Sequence, residues 1–252
     1  MGSPAFDRDV PPSGPAGHRA YVIGDVHGRL DLLENLLARI HSELQRHPAP
    51  KTTIIFVGDL IDRGPSSAQV LERLRTYRRA GIETVFLLGN HEEVLLRILE
   101  GEGALIANWR TFGGTECLES YGVDPQALRH ANHGEALAIV RRAIPKEHVH
   151  FLRSFADSCQ FGDYLCVHAG IRPGIAIDEQ TQADMRWIRE PFLLDDSDHG
   201  FVVVHGHTIT AEVEQRPNRI GIDTGAYRSG VLTALGIEGT ERWLLDTRSQ
   251  AD

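Results

Sequence analysis

The sequence predicts an α/β fold in which a parallel sheet is followed by a second sheet. Three strand–loop–helix units succeed one another within about 80 residues of the first half, an order typical of a parallel sheet with helices on its faces. The second half is rich in short strands with short connections, which indicates a second sheet. A chain of 252 residues is long enough for one large domain of this class.

The first half alternates short apolar runs with amphipathic segments. After the first apolar run, leucine and isoleucine recur at helical spacing until His47 and Pro48 end the pattern. We predict strands over residues 20–23, 53–57 and 83–88, and helices over residues 30–46, 66–80 and 93–101. The loops GDVHGR, GDLIDRGP and GNHE therefore lie at the ends of the three strands.

The middle of the chain and its second half differ from this pattern. Residues 101–155 are polar and glycine-punctuated, and we interpret them as a helical insertion, with one helical stretch over 125–144, packed over one edge of the sheet. Further strands are predicted within residues 158–168, 201–205, 219–223 and 231–245. The first of these ranges is predicted to be a hairpin through Gly162 and Asp163, and the last to turn at Glu238 and Gly239.

Composition excludes several classes of protein. The chain has 26 Lys and Arg residues against 35 Asp and Glu residues, so it lacks the basic character of a nucleic-acid-binding protein. No apolar run is long enough to span a bilayer, and no membrane association is expected. Three cysteines without C-x-x-C spacing indicate a reduced, cytoplasmic protein. Residues 20–248 are expected to form a single domain, and the proline- and glycine-rich residues 1–19 a disordered leader.

Polar side chains with reactive chemistry follow the predicted strands directly. They are Asp25 and His27 after the first strand, Asp59, Asp62 and Arg63 after the second, Asn90 and His91 after the third, His168 at the end of the hairpin, and His207 after FVVVH. Ligands of open α/β sheets bind outside the carboxyl ends of the strands. Loops that are far apart in sequence are therefore expected to converge on one rim.

The chemistry of this set predicts a dinuclear metal centre. Carboxylate, carboxamide and imidazole ligands together suit transition metals such as Mn, Fe, Zn or Co better than Ca. One ion is expected on Asp25, His27 and Asp59, and the other on Asn90, His168 and His207, with Asp59 bridging. Two such ions would lower the pKa of a shared water and provide a hydroxide for single-step, in-line attack on phosphorus.

The motifs GDVHG, GDLIDRG, GNHE, a later strand-end His and a final GH resemble the signature of the calcineurin-like metallophosphoesterases. More specifically, they resemble the phosphoprotein phosphatase branch and its bacterial and bacteriophage lambda-type serine/threonine protein phosphatases. The resemblance extends from about residue 20 to 237, because NWRTFGG, RWIR and IDTGA also resemble segments of that subgroup. Ile209 stands where other metallophosphoesterases carry a second metal-binding His, a departure that the protein phosphatase branch shares.

The resemblance implies a fold, a ligand set and an activity. The implied fold is a four-layer α/β/β/α sandwich of two mixed sheets with a helical insertion, and the six metal ligands are those proposed above. The implied activity is that of a metal-dependent phosphomonoesterase, a serine/threonine or dual-specificity protein phosphatase acting on a phosphorylated protein or a small phosphoester. Manganese is the first expectation for the two divalent or trivalent ions, with Fe, Zn and Co as alternatives. The oligomeric state is not encoded in any visible pattern.

Four further residues are assigned to catalysis. Arg63 and, by resemblance, Arg189 of RWIR would bind the phosphoryl oxygens in a forked geometry. His91 is the candidate general acid that protonates the leaving group. Asp62 would hold the imidazole of His91 and raise its pKa.

Three alternatives remain open at this point. A symmetrical diadenosine tetraphosphate hydrolase is favoured by HAGI-x-P but opposed by Asp62 and Glu92, because that enzyme lacks the inner Asp of the second motif and tends to end the third in Asp. A cysteine-dependent phosphatase is suggested by the C-x5-R spacing of Cys166 and Arg172. A binding module for phosphorylated partners is the non-enzymatic alternative.

Overall fold

Two five-stranded mixed sheets pack face to face in the computed structural model, which describes residues 10–248. The strands are β1 (His18–Ile23), β2 (Lys51–Phe56), β3 (Ile82–Phe86), β4 (Ser158–Phe161), β5 (Tyr164–Val167), β6 (Val202–His205), β7 (Glu214–Gln215), β8 (Arg219–Gly221), β9 (Thr233–Glu238) and β10 (Glu241–Asp246). The helices are α1 (Leu30–Arg46), α2 (Ser67–Arg75), α3 (Asn90–Glu100), α4 (Leu105–Trp109), α5 (Thr115–Ser120), α6 (His133–Ala143), α7 (Lys146–Leu152), α8 (Gln182–Trp187) and α9 (Ala226–Ser229).

The first sheet has the order β10-β9-β1-β2-β3. Strands β1, β2 and β3 are parallel, as the three strand–loop–helix units predict, and β9 and β10 extend the sheet antiparallel at the β1 edge. The apolar positions of α1 repeat at helical spacing, so that Leu33, Leu36 and Ile40 face the sheet and are buried. Helices cover only one face of this sheet, because the other face packs against the second sheet.

The second sheet has the order β4-β5-β6-β8-β7, with β5, β6 and β8 parallel and an antiparallel strand at each edge. Val22 and Ile55 of the first sheet and Val204 and Ile220 of the second lie in one buried cluster between them. A separate cluster on the outer face includes Met185 of α8. The order of layers is therefore α/β/β/α, and the predicted sandwich of two mixed sheets is confirmed.

The stretch of sequence between α3 and β4, which contains α4 to α7, is helical and packs against α2 and α3. Its last helix reaches the edge strand β3, where the ring of Phe151 meets that of Phe86 at 4.9 Å. The single helical stretch predicted over 125–144 is interrupted. The side chain of Asn132 accepts hydrogen bonds from two backbone N–H groups and caps α6, so a new helix starts there.

Several element boundaries differ from the predicted ones. Helix α2 ends at Arg75 rather than at residue 80. The hydroxyl of the next residue, Thr76, donates a hydrogen bond to the Glu72 carbonyl. Helix α3 begins at Asn90, so the motif predicted as a loop forms its first turn. Strand β7 and helices α8 and α9, which are six residues long or less, have no counterpart among the predicted elements.

Part of the predicted leader is ordered structure. The backbone N–H of Ser13 donates to Asp163 at 2.9 Å, and that of Gly14 donates to the Gly239 carbonyl at 2.8 Å. Strand β1 itself begins at His18. Residues 1–9 of that leader lie outside the described residues. None of the helices that the structure describes combines the length and the apolar character required to cross a membrane.

Candidate metal centre

The six residues predicted as metal ligands meet where strands of both sheets end. Asp25 and His27 follow β1, Asp59 follows β2, Asn90 opens α3 after β3, His168 follows β5, and His207 follows β6. Each is at most 8% exposed, so their polar atoms face one another and not solvent. Burial of isolated polar groups at this depth costs a large desolvation free energy, so their convergence indicates a site that binds something.

His27 directs an unprotonated ring nitrogen toward two carboxylates. Its Nδ1 lies 2.8 Å from the Ile61 carbonyl oxygen, so Nδ1 carries the proton and Nε2 is an acceptor. Nε2 lies 3.6 Å from Asp59 Oδ2 and 4.0 Å from Asp25 Oδ2. Within residues 10–248 this nitrogen has no hydrogen-bond partner. Acceptors that converge without a donor between them fit a cation.

His168 repeats the arrangement on the second sheet. Its Nδ1 lies 2.8 Å from the Val57 carbonyl oxygen, so Nε2 is again an acceptor, 3.0 Å from Asn90 Oδ1 and 3.5 Å from Asp59 Oδ2. His207 Nδ1 lies 2.9 Å from the same Asn90 oxygen. Asp59 therefore belongs to two groups of acceptors, one with His27 and His91 and the other with His168 and His207. The residues present fit two transition-metal ions bound by oxygen and nitrogen.

The imidazoles of the cluster are held neutral. Burial lowers the pKa of His207 to about 3, and it lowers the pKa of His168 and, more strongly, that of His27. A histidine must be neutral to ligate a metal, because the lone pair of the ring nitrogen forms the bond. The electrostatics of the site therefore favour ligation at neutral pH.

Backbone strain is concentrated at these residues. The non-glycine residues with positive φ within residues 10–248 are His27, Asp59, Asp62, Arg63 and His207, all of them predicted site residues. Such conformations cost of order 1–3 kcal/mol each and cluster at functional sites. Glycines make room beside them, since a Cβ at Gly206 would collide with Asp25 Oδ1, and one at Gly89 with Asp59 Oδ1.

A carboxylate–imidazole pair borders the six predicted metal ligands, which we call the ligand cluster. His91 Nδ1 lies 2.6 Å from Asp62 Oδ2, and the indole Nε1 of Trp109 donates to the same oxygen at 2.8 Å. Burial opposes the charged imidazole, but the Asp59 and Asp62 carboxylates outweigh it and raise the pKa of His91 to about 9. His91 Nε2 points the other way, 3.2 Å from Nη2 of Arg63.

A cavity of about 360 Å³ opens on this cluster, and its lining includes Arg63, Arg189, Asn90, His91 and His207. The guanidinium of Arg63 lies 4.7 Å above the ring of Tyr227, a cation–π contact that fixes its position. Neither of the two arginines forms an ion pair with a carboxylate of residues 10–248. The structure thus brings all ten predicted site residues to one place, with two arginine side chains at the cavity that form no ion pair among the described residues.

The family model described as "Calcineurin-like phosphoesterase" matches residues 18–230 of the sequence. The chain belongs to this family. It is therefore a metallophosphoesterase, a hydrolase with His and Asp residues placed to bind divalent metal ions.

Curated relatives of this metallophosphoesterase are dinucleotide hydrolases. A symmetrical bis(5'-nucleosyl)-tetraphosphatase of Janthinobacterium sp. (strain Marseille) is 27% identical over 267 residues, covering 86% of this chain and 92% of that protein. The asymmetrical bis(5'-nucleosyl)-tetraphosphatase PrpE of Bacillus thuringiensis (strain Al Hakam) is 27% identical over 233 residues, covering 85% of this chain and 88% of that protein. A solved structure provisionally assigned as a diadenosine tetraphosphatase shares the fold, with a TM-score of 0.64, 21% identity, and 90% and 93% of the chains covered.

Glu92 is a residue of this metallophosphoesterase to which sequence reasoning gave no part in the site. Its carboxylate accepts hydrogen bonds from the backbone N–H groups of Asp59, Leu60, Ile61 and Gly89, at 2.8 to 3.2 Å. It therefore holds the strained loop after β2. Its presence in GNHE was the available signal, but three of its four partners lie about 30 residues away in sequence, and only Gly89 is local.

Trp109 and Tyr227 were missed for a similar reason. Both lie in segments, NWRTFGG and the residues after IDTGA, that attracted notice only through the family resemblance. Their contacts with Asp62 and Arg63 depend on the tertiary structure. No pattern local to either segment indicates them.

The alternative cysteine site is not assembled in the metallophosphoesterase. Cys166 is fully buried between the two sheets, and burial raises the pKa of its thiol well above the usual value, which opposes the reactive thiolate. Arg172 binds the carboxylate of Asp184 through two nitrogens, at 2.6 and 3.1 Å. The C-x5-R spacing therefore reflects a core strand and a surface ion pair.

Proposed function

We propose that this metallophosphoesterase hydrolyses dinucleoside polyphosphates, with a dinucleoside tetraphosphate as the expected substrate. The observation that carries the proposal is the cavity at the ligand cluster, where Arg63 and Arg189 lack carboxylate partners among the described residues. Two guanidinium groups without ion-pair partners, beside buried side chains that could bind metal, suit a substrate with several phosphates. The names and near-complete coverage of the curated relatives support the same substrate class.

The proposed ligands are the six residues that converge at the strand ends. One ion would be held by Asp25, His27 and Asp59, and the other by Asn90, His168 and His207, with Asp59 shared. Bound there, divalent ions supply Lewis-acid activation of water and of phosphoryl oxygens. The identity of the metal follows its availability as well as its ligands, and manganese is our first choice.

The remaining proposed roles belong to side chains at the cavity. In this structure His91 Nε2 lies 3.2 Å from Arg63 Nη2, which can only donate to it. Once Arg63 turns to a phosphoryl oxygen, Nε2 would carry the proton that passes to the oxygen leaving as the phosphorus–oxygen bond breaks, while Asp62 fixes the ring from the other side. Arg63 and Arg189 bind non-bridging phosphoryl oxygens, where negative charge is concentrated. Tyr227 keeps the guanidinium of Arg63 above the cavity in the absence of substrate.

The second candidate function is a serine/threonine or dual-specificity protein phosphatase, and the Asp62–His91 contact favours it. An alkoxide is a poor leaving group and needs a proton more than a departing nucleotide phosphate does. A buried carboxylate 2.6 Å from the imidazole helps to raise its pKa to about 9, so a proton is available for the alkoxide at neutral pH. This pair is the feature that distinguishes the sequence from symmetrical hydrolases that lack the inner Asp.

One preparation of the protein with added Mn²⁺ decides between the two functions. We expect kcat/KM for diadenosine tetraphosphate to exceed that for phosphoserine, phosphothreonine and phosphotyrosine peptides. Chromatography of the products shows whether cleavage gives two ADP or ATP with AMP. Hydrolysis of the peptides without hydrolysis of the dinucleotide would refute the proposal in favour of the protein phosphatase.

A further inference from the structure

Two exposed aromatic side chains border the cavity at the ligand cluster. Phe112 is 55% exposed and Trp187 is 40% exposed, and both line the cavity that holds Arg63 and Arg189. Within residues 10–248 they are the exposed aromatic residues, whereas the other Phe, Trp and Tyr side chains are buried or half-buried. Exposed aromatic faces beside a concave polar site are typical of ligand recognition.

We propose that Phe112 and Trp187 form a stacking subsite for a purine base of a nucleoside polyphosphate whose phosphates bind Arg63 and Arg189. This inference rests on the proposed function and names the part of the protein that recognises the nucleoside. A planar base stacks on an aromatic face, and guanidinium groups bind phosphate oxygens. A cavity of about 360 Å³ lies in the range of sites for one small ligand, so the second nucleoside of a dinucleotide would lie outside it.

Trp187 is oriented before any ligand arrives. Its indole Nε1 donates to Glu93 Oε2 at 3.1 Å, and the same carboxylate oxygen accepts from Arg186 Nη1 at 3.2 Å. Helix α8, which ends at Trp187, is capped by the hydroxyl of Thr181. A ring held by its edge keeps one face available, so stacking costs little conformational entropy.

Phe112 is placed by an irregular stretch of helix. The backbone departs from helical geometry at Phe112 and at Gly113, whose φ is 108°. The Gly113 carbonyl accepts a hydrogen bond from the backbone N–H of Arg63 at 3.1 Å, and a Cβ at Gly113 would collide with that nitrogen. Interruptions of this kind are frequent at functional sites. Here the interruption sets an exposed ring beside the loop that carries Arg63.

The test compares a substrate that has a base with one that has none. We expect Trp187→Ala and Phe112→Ala each to raise the ratio of KM for diadenosine tetraphosphate to KM for inorganic tripolyphosphate by about 5- to 150-fold, the range of single base–aromatic stacks. Trp187→Phe should retain most of the wild-type ratio. Leu244→Ala is the matched control, because this equally exposed side chain lies on β10, outside the cavity.

A binding experiment separates this inference from the proposed function. Calorimetric titration with ADP and with pyrophosphate should show tighter binding of ADP, and the two alanine variants should lose that difference. If the protein hydrolyses only phosphopeptides but the variants still weaken ADP binding, the subsite is supported and the proposed substrate is wrong. If both variants, shown to be folded by circular dichroism, bind ADP as the wild type does, the subsite is refuted. Loss of affinity for a phosphotyrosine peptide alone would also refute the purine assignment.

Discussion

The indole Nε1 of Trp109 donates a hydrogen bond to Oδ2 of Asp62 at 2.8 Å, and the same oxygen lies 2.6 Å from His91 Nδ1. Trp109 belongs to the helical segment that lies between α3 and β4 in sequence, and Asp62 belongs to the loop after β2. A second contact, from the backbone N–H of Arg63 to the Gly113 carbonyl, joins the same two segments. The helical segment therefore supports the candidate acid His91 through Asp62.

We expect Trp109→Phe to lower kcat by about tenfold, because one hydrogen bond to a buried carboxylate contributes about 1.5–3 kcal/mol and a single support of the acid is lost. The loss should be larger for phenyl phosphate than for p-nitrophenyl phosphate, since the poorer leaving group depends more on proton transfer. Steady-state kinetics with both substrates checks this. Trp243→Phe is the control, since its indole donates to Glu43 at 2.9 Å, far from the site. An equal loss with both substrates would indicate a purely structural role.

The pH profile of Asp62→Asn tests the proposed acid. The Asp59 and Asp62 carboxylates raise the pKa of His91, and activity that needs its proton is lost as the pH rises through that pKa. Removal of the Asp62 charge lowers the pKa of His91, so the alkaline limb of kcat should move to lower pH. Turnover at neutral pH should fall by about 10²- to 10⁴-fold in Asp62→Asn and in His91→Asn, with metal retained.

A matched control for this experiment lies outside the site. Glu72 faces His148 at 3.1 Å in a carboxylate–imidazole contact whose carboxylate is half-exposed. Glu72→Gln should leave the pH profile of kcat unchanged. An alkaline limb that stays in place in Asp62→Asn would remove His91 from its proposed role.

The sequence was sufficient to predict the order of strands and helices in the first half and the convergence of the six proposed metal ligands. Both follow from periodicity and from the rule that parallel strands end at one rim, which places Asp25 and Asp59 side by side without any knowledge of side-chain contacts. It was not sufficient for α8 and α9, because helices of four to six residues carry too little periodicity. The supports from Glu92 and Trp109 are contacts between distant segments, and local patterns do not encode them.

Metal stoichiometry tests the shared position of Asp59. Because Asp59 Oδ2 belongs to both acceptor groups, we expect Asp59→Asn to lose both ions, whereas His27→Ala should lose about one of two. Elemental analysis of the dialysed protein by mass spectrometry measures this directly. His130→Ala, which removes an exposed histidine, should keep the wild-type content. Retention of both ions in Asp59→Asn would contradict a bridging carboxylate.

Substitution of Glu92 tests whether the loop after β2 is held in its strained form by one carboxylate. In Glu92→Gln the carboxamide nitrogen would face backbone N–H donors that now bond to oxygen, so at least one donor is left buried and unpaired. We expect the free energy of unfolding to fall by about 1–3 kcal/mol and metal affinity to weaken, since Asp59 and the Ile61 carbonyl that orients His27 lie on this loop.

Urea denaturation with and without Mn²⁺ measures both effects. Glu102→Gln, which alters only an exposed pair with Arg97, should change stability by less than about 0.5 kcal/mol. A Glu92→Gln protein as stable as this control would show that the backbone N–H groups find other partners and that the loop does not depend on Glu92.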